Sequence, residues 1–221
     1  MSGYFVTGTD TGVGKTFAST VLLTALVRKG YRAVGMKPIA TGATMMQEVL
    51  RSADAEALRV AGNVAADSVD VNPYLFAAAT APHLAARAEN VEIRIDTVLD
   101  HYGRLAASSE QVIVEGVGGW LVPVNENETT ADMARALDLP VILVVGLRLG
   151  AINHALLTVE SIVKHGCRLA AWVANDVEGC APGGYLEALH ERVPAPCLGI
   201  LAHGVTVSEA TKSMNLRVLG L

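Results

Sequence analysis

The chain has 221 residues, of which 51% are hydrophobic and only 5% aromatic, and its formal net charge is −5. That length accommodates one large α/β domain with a substantial core. The acidic balance and the lack of any basic stretch argue against a nucleic-acid partner, and no apolar run approaches the ~18 residues of a membrane span.

Much of the apolar content is Ala, Val and Leu, which suits parallel strands buried on both faces beneath close-packed helices. Cys167, Cys180 and Cys197 are odd in number and far apart, and the six histidines include no His-x-x-x-His pair. Neither a disulfide framework nor structural zinc is expected from that pattern. The first strand is predicted from residue 4, which leaves no leader to read there, and a cytoplasmic location is the expectation.

Tyr4-Phe5-Val6 predicts the first strand, and it runs into Gly8-Thr9-Asp10-Thr11-Gly12-Val13-Gly14-Lys15-Thr16. Helical spacing follows (Ala18, Val21, Leu22, Ala25, Leu26) and ends at Gly30. Strand, glycine-rich turn and helix is the context in which a phosphate-loop match carries meaning. Backbone N–H groups of such a loop and the helix start form a nest for phosphate oxygens. Lys15 is then suited to the β/γ-phosphates and the Thr16 hydroxyl to Mg²⁺. One detail departs from the usual pattern: Thr9 stands where a glycine is common, and the glycine comes one place earlier, at Gly8.

Arg32-Ala33-Val34-Gly35-Met36 predicts a second strand that delivers Lys37-Pro38 at its end, and Thr41-Gly42-Ala43-Thr44 reads as a loop. A helix is predicted over 53–61, residues 64–82 read as irregular, and further helices are predicted near Pro82 and over 95–107. Gln111-Val112-Ile113-Val114-Glu115 is a buried strand ending in Gly116-Val117-Gly118-Gly119, and Thr130 is read as the N-cap of a helix over 131–138. Strands Val141–Val145 and Leu169–Ala174 flank a helix over 151–165. A Gly/Pro-rich loop (178–184), a short helix and the strand Cys197–Leu201 follow, and 203–221 reads as mostly irregular. Alternating strands and helices predict βαβ units and one mostly parallel sheet with helices on both faces, in a single domain.

Ligands of open α/β sheets bind beyond the carboxyl ends of the strands. Four predicted strand ends carry suitable groups: the glycine loop, Lys37, Glu115 and Asn175-Asp176. Lys37 reads as a second cation for charge that develops on a γ-phosphate, or as a solvated lysine after a strand. Glu115 reads as a metal carboxylate or an ordinary turn acid, and the neighbouring glycines favour close backbone approach to a ligand. Asn175 carries a donor and an acceptor that fit an adenine edge, or it serves as a turn residue. Asp54 by itself is no more than a charge in a helix's first turn. Gly150-Ala151-Ile152-Asn153 opens a helix whose free N–H groups suit a carboxylate.

Taken together, these motifs resemble the dethiobiotin synthetase family, over almost the whole chain. The resemblance rests on Val6–Thr11, Val13-Gly14-Lys15-Thr16, Lys37-Pro38, Asn72-Pro73-Tyr74, Pro82-His83, Val114–Gly119, Pro140–Gly146, Leu149–His154 and Trp172-Val173-Ala174-Asn175. This family's longer phosphate loop begins at the equivalent of Gly8. The resemblance implies ATP bound by Gly12, Val13, Gly14, Lys15 and Thr16, with Asp54, Glu115, Gly118, Asn175 and Asp176. The series of nucleotide contacts stops at Thr16: a second threonine at position 17 has no equivalent here, since Phe17 stands there. The resemblance also implies Mg²⁺ held by Thr16, Asp54 and Glu115. Lys15, Lys37 and Thr11 would act at the γ-phosphate, Ala202, His203 and Gly204 would flank the base, and Glu209 would reach the ribose.

Thr41 and Val117 would meet the substrate, 7,8-diaminononanoate (7,8-diaminopelargonate), which reacts with CO₂ or bicarbonate. In the homodimer the family forms, Gly150, Ala151, Asn153 and Tyr185 of one copy would hold the substrate carboxylate for the other. The implied reaction passes through a carbamate and a carbamic-phosphoric anhydride and closes a ureido ring. The chain departs from the family at Gly12, often Glu in the enterobacterial type, at Ala202, often Pro, and in a shortened loop around 178–184. The competing readings are a partition or site-selection switch ATPase of the same fold, a glutamine-dependent synthetase domain and a non-catalytic nucleotide-binding module. The first lacks its usual extra lysine near the loop start, where Thr9 and Asp10 stand, and the second lacks a glutaminase domain.

Overall fold

A computed structural model describes residues 3–46 and 48–221. In chain order the elements are β1 (Gly3–Gly8), α1 (Lys15–Arg28), β2 (Ala33–Met36), β3 (Ile39–Ala40), β4 (Thr44–Met46), β5 (Val49–Arg51), α2 (Ala53–Ala61), α3 (Ser68–Val71), β6 (Tyr74–Leu75), α4 (Pro82–Ala88), α5 (Ile95–Ser108) and β7 (Gln111–Glu115). They continue with α6 (Thr130–Leu137), β8 (Val141–Gly146), α7 (Ala151–Lys164), β9 (Leu169–Asn175), α8 (Tyr185–Arg192), β10 (Cys197–Leu201) and α9 (Val207–Ala210).

The central sheet has six strands in the order β10-β9-β8-β1-β7-β2, and every pairing is parallel. A parallel sheet must be covered on both faces, and the strand residues alternate accordingly. On one face Tyr4, Val6, Ile113, Ile142 and Val144 pack against Val21, Leu22 and Leu26 of α1, Leu58 of α2, and Ala210 and Leu216 near the C-terminus. On the other, Phe5, Val34, Val112, Val114 and Val141 meet α4, α5 and α6 through Ala85, Val98, Leu105 and Ala134. Leu143, Val145 and Trp172 on that same face pack under α7 and α8.

The register of this sheet gathers the chemistry. Met36 pairs with Val114, so the next residues, Lys37 and Glu115, leave neighbouring strands at the same level. Val6 pairs with Glu115, Gly8 with Val144 and Gly146 with Asn175, which aligns the remaining polar strand ends along one edge.

Several local expectations are corrected. Thr44 is not loop but the first residue of a β4–β5 hairpin, whose Thr44 pairs with Arg51. The 64–82 stretch contains α3 and the short strand β6, which pairs with β3 through Ile39 and Tyr74. Thr129, not Thr130, is the N-cap of α6: its backbone N–H and hydroxyl both donate to Asp132. The Thr130 hydroxyl is buried and bonds the Trp120 and Gly119 carbonyls. The 203–221 segment is more ordered than its composition implies, with α9 and two 3₁₀ turns, because Leu216 and Ala210 are drawn into the core.

Asp70 ties α3 to α5: its Oδ1 lies 2.7 Å from His101 Nδ1 and accepts from Arg104 Nη1 at 2.9 Å. Those partners hold the carboxyl below its usual range, the His101 hydrogen bond foremost. A carboxyl with a depressed folded-state pKa contributes stability above its unfolded pKa of ~3.9, and that stability is lost as pH falls through the folded value. Asp70→Asn is therefore expected to lower the unfolding free energy by ~1 kcal/mol at pH 7. In urea denaturation the difference from the parent chain should shrink towards zero below about pH 3.

Candidate active site

The loop between β1 and α1 folds back across the last residue of its own strand. A side chain at Gly8 would bring its Cβ within 2.6 Å of Val13 Cγ2, while Thr9, in the bend that follows the strand, donates to the Val144 carbonyl at 3.0 Å. This explains the need for glycine at position 8. Gly14 has φ +83 and forms the left-handed N-cap of α1, and Gly12 has φ +75. Val13 between them is buried against Gly146.

Asn175, 5% exposed, donates its amide to the Val13 carbonyl at 2.9 Å. One hydrogen of the amide group anticipated for adenine is thus committed to holding the loop, and a Cβ on Gly14 would overlap that amide nitrogen. β9 fixes the shape of the loop that follows β1.

Lys37 and Glu115 form the centre of the site. Both are buried, at 3% and 0% exposure. Lys37 Nζ lies 2.6 Å from Glu115 Oε1 and 3.0 Å from Asp54 Oδ2, and donates to the Gly116 carbonyl at 3.1 Å. The Thr16 hydroxyl, at the start of α1, donates to the same Glu115 Oε1 at 2.9 Å. Asp54 reaches this group from the first turn of α2, whose N-cap Ser52 accepts from the Ala55 N–H.

Burial by itself would lower the Lys37 pKa, but the Glu115 and Asp54 carboxylates outweigh it and hold the ammonium above the usual lysine range. Burial likewise pushes Asp54 up, and Lys37 followed by Thr16 overturns that and keeps it low. Among the described residues Lys15 has no carboxylate at ion-pair distance, and the more distant Glu115 and Asp54 raise it less than burial lowers it. Burial, and then the charge of Lys37, push it down to about 8. Its ammonium donates only to the Asp10 carbonyl, at 3.3 Å, among the contacts of the described residues.

These groups face a cavity of about 720 Å³. Of the residues anticipated from the sequence, Thr11, Gly12, Gly14, Lys15, Thr16, Lys37, Thr41, Asp54, Glu115, Val117 and Gly118 line it. Position 17 carries no threonine and adds nothing to this lining. Phe17, in the first turn of α1, turns its ring away from the cavity and packs, partly buried, against the apolar cluster between α1, α2 and the sheet. Successive helical residues diverge by about 100°, so the hydroxyl at 16 and the ring at 17 serve different faces. The sequence reading missed the cavity's far wall, Ala79, Thr80, Ala81, Pro82 and Val122. The signals there were the Pro82-His83 pair of the resemblance and Pro82 at the first position of α4, which mark the turn of the chain and not its direction.

The residues anticipated around a base do not line that cavity. Ala202, His203 and Gly204 follow β10, with His203 Nδ1 3.1 Å from the Val177 carbonyl. Asp176 accepts from the Gly179 N–H at 2.9 Å. The Glu209 carboxylate accepts from the Thr206 N–H and hydroxyl, closing a capping box at the start of α9. Gly150, Ala151 and Asn153 begin α7 and Tyr185 begins α8, both away from the cavity of the same chain.

The residues present fit a hard divalent cation. Glu115 Oε2 is a buried acceptor with no hydrogen-bond partner, a position that a cation would satisfy. Thr16, Asp54 and Glu115 offer only oxygen ligands, as Mg²⁺ prefers. Among the described residues no group of three or more His, Cys, Asp or Glu side chains is gathered to hold a metal, and a hydroxyl with two carboxylates would leave room in the shell for waters or other oxygen ligands.

The two loop glycines separate strain from collision. Gly12 has open space where a Cβ would point, whereas Gly14 has the Asn175 amide. Gly12→Ala is expected to cost ~1–2 kcal/mol, from the left-handed backbone alone, and to keep nucleotide binding. Gly14→Ala should displace Asn175 and weaken nucleotide binding at least tenfold more than Gly12→Ala. Urea denaturation and titration with an ATP analogue check both.

The chain is similar to several known proteins. A family model described as an AAA domain matches residues 2–220. The ATP-dependent dethiobiotin synthetase BioD of Pseudescherichia vulneris is 48% identical over 198 residues, covering 89% of this chain and 82% of that protein. The BioD of Aromatoleum aromaticum is 44% identical over 219 residues, covering 98% of this chain and 97% of the relative. Solved structures with a similar fold include the MinD of a MinC:MinD cell division complex from Aquifex aeolicus, with TM-score 0.58, 14% identity and coverage of 98% of this chain and 88% of that one. The signal recognition particle receptor FtsY from Elizabethkingia anophelis has TM-score 0.56 and 16% identity over 95% of this chain, which spans only 61% of the receptor's. At those identities the structural matches speak to the phosphate-loop NTPase fold alone. The identity and coverage of the BioD relatives speak to more, and the chain belongs to the family of ATP-dependent dethiobiotin synthetases.

Proposed function

We propose that this chain closes the ureido ring of dethiobiotin, joining 7,8-diaminononanoate with CO₂ in a reaction driven by ATP. The observation that carries the reading is the convergence of Lys15, Lys37, Thr16 and Glu115 on one cavity that extends past Thr41 and Val117 to an uncharged wall. One end has the phosphate loop and its cations. The other has room and small polar groups for an aliphatic diamine.

In this reading a neutral amine of the substrate attacks CO₂, loses a proton and becomes a carbamate. A carbamate oxygen attacks the γ-phosphorus, ADP leaves, and a carbamic-phosphoric anhydride results. The second amine attacks its carbonyl carbon, and phosphate and a proton depart as the ring closes. No protein nucleophile takes part, and among the described residues the cavity lining includes no Ser, Cys or His. Catalysis therefore falls to positioning and to neutralising charge on the transferring group. Lys15 and Lys37 serve that charge, and Thr11 lies beside it. Mg²⁺ would be held by Thr16, Asp54 and Glu115 and would supply neutralisation of phosphate charge. Asn175 would offer its remaining amide atoms to adenine, with Asp176, Ala202, His203, Gly204 and Glu209 along the nucleoside. The substrate carboxylate would lie at the α7 start (Gly150, Ala151, Asn153) and Tyr185 of a second copy, which makes a homodimer part of the reading. At that helix start the Ala151 N–H is engaged with the Arg148 carbonyl, and the N–H groups of Ile152 and Asn153 that follow it support the reading.

Release of ADP is expected to require both the diamine and bicarbonate. Assays omitting each in turn check this, and ATP hydrolysis indifferent to the diamine would instead favour a switch ATPase.

Lys37→Gln removes a cation from the transferring phosphoryl group and should lower kcat by about 10²–10³. It also leaves Glu115 without its buried partner, so the melting temperature without ligands should fall by several degrees. Mg·ATP is expected to recover most of that loss, and thermal scans with and without it provide the measurement.

A further inference from the structure

The loop that begins the site is tied to a residue which no part of the proposed chemistry uses. Arg148 Nη2 lies 2.8 Å from Asp10 Oδ2, across 138 positions of sequence. The other oxygen of that carboxylate accepts the Thr11 N–H at 2.7 Å, and the Asp10 carbonyl accepts from Lys15. Asp10 thus contacts the two loop residues nearest the developing charge, and Arg148 holds its carboxylate.

The anchor of the arginine is fixed by the sheet. Arg148 follows β8, the neighbour of β1, in a turn pinned on both sides. Leu147 N–H donates to the Asn175 carbonyl at 2.8 Å, and Ala151 N–H donates to the Arg148 carbonyl at 3.0 Å. The parallel pairing of Gly8 with Val144 sets the distance between this turn and the phosphate loop.

The pair has a problem to solve. Asp10 places a negative charge inside a loop that must receive a polyanion. Both side chains are partly exposed, 33% for Arg148 and 49% for Asp10, so the pair adds little to stability. Its consequence is local: it turns a carboxylate and cancels a charge.

We propose that Arg148 is a positioning residue for nucleotide use. It holds the Asp10 carboxylate against the β8–α7 turn and off the phosphates, which orients Thr11 toward the cavity. The proposal rests on the reading of residues 8–16 as the cradle for ATP phosphates, and it does not depend on the identity of the phosphoryl acceptor.

The test compares Arg148→Ala, Arg148→Lys, Asp10→Asn and the double variant Asp10→Asn/Arg148→Ala in the full-length chain. Binding of Mg·AMP-PNP is measured by calorimetry without diamine, and kcat and KM for ATP are measured with diamine and bicarbonate saturating. Arg148→Ala should weaken nucleotide binding and raise KM about five- to tenfold, as one uncompensated like charge near the phosphates would. Arg148→Lys should restore most of that loss, and the melting temperature should stay within about two degrees throughout. In the Asp10→Asn background the Arg148→Ala change should have less than a twofold effect. An equal loss in both backgrounds would overturn the proposal, since Arg148 would then act independently of Asp10. Unchanged nucleotide binding in Arg148→Ala would overturn it too. Because the binding arm contains no diamine, failure of the dethiobiotin reading would appear only as turnover indifferent to the diamine.

Discussion

A lysine and a glutamate withdrawn from water together are the constraint on which the site depends. Desolvating Lys37 and Glu115 costs several kcal/mol for each ion unless the pair is close and its other valences are met. Here the ammonium meets Glu115, Asp54 and the Gly116 carbonyl, and Thr16 adds a donor to the glutamate. The groups that satisfy the pair come from α1, α2 and the turn after β7, so the pair can form only when those elements are all in place. The residual mismatch is Glu115 Oε2, buried without a hydrogen bond. An acceptor left unpaired in such a place costs stability, and a cation or donor brought to it would relieve that cost.

The same elements divide the work between grip and shape. The loop after β1 presents backbone N–H groups and Lys15, but its curvature is set from outside by the Asn175 amide on Val13 and by the Arg148 guanidinium on Asp10. Strand β8 lies between β9 and β1, and it positions both anchors by its pairings. A nucleotide loop made of glycines has little conformational preference of its own. Rigid strands on one side supply what the loop lacks.

The fold by itself says little about the reaction. MinD and FtsY share the strand and helix layout at 14% and 16% identity, and they are named for cell division and signal recognition. What bears on the chemistry of this chain is local: Lys37 and Asp54 beside Glu115, and a cavity wall of Ala79, Thr80, Ala81 and Pro82. Function resides in such a site grafted on a common scaffold.

The sequence by itself determined the parallel α/β architecture and most of the phosphate-binding end. Apolar runs such as Val141–Val145 mark strands buried on both faces, and Gly12, Gly14, Lys15 and Thr16 are adjacent in the chain, so their geometry is local. Lys37 and Glu115 were legible as polar residues at the ends of apolar strands, although their contact was not. That contact depends on the register of Met36 against Val114, a property of pairing between distant segments. The structure alone decided the Arg148–Asp10 pair, the use of Asn175 as a brace for the loop, and the far wall of the cavity. It also assigned the Glu209 carboxylate to its own helix cap. Each of these joins residues whose separation in sequence carries no signal, or turns on where a side chain points after packing. Spacing and composition describe one segment at a time, and a site assembled from the ends of parallel strands belongs to several.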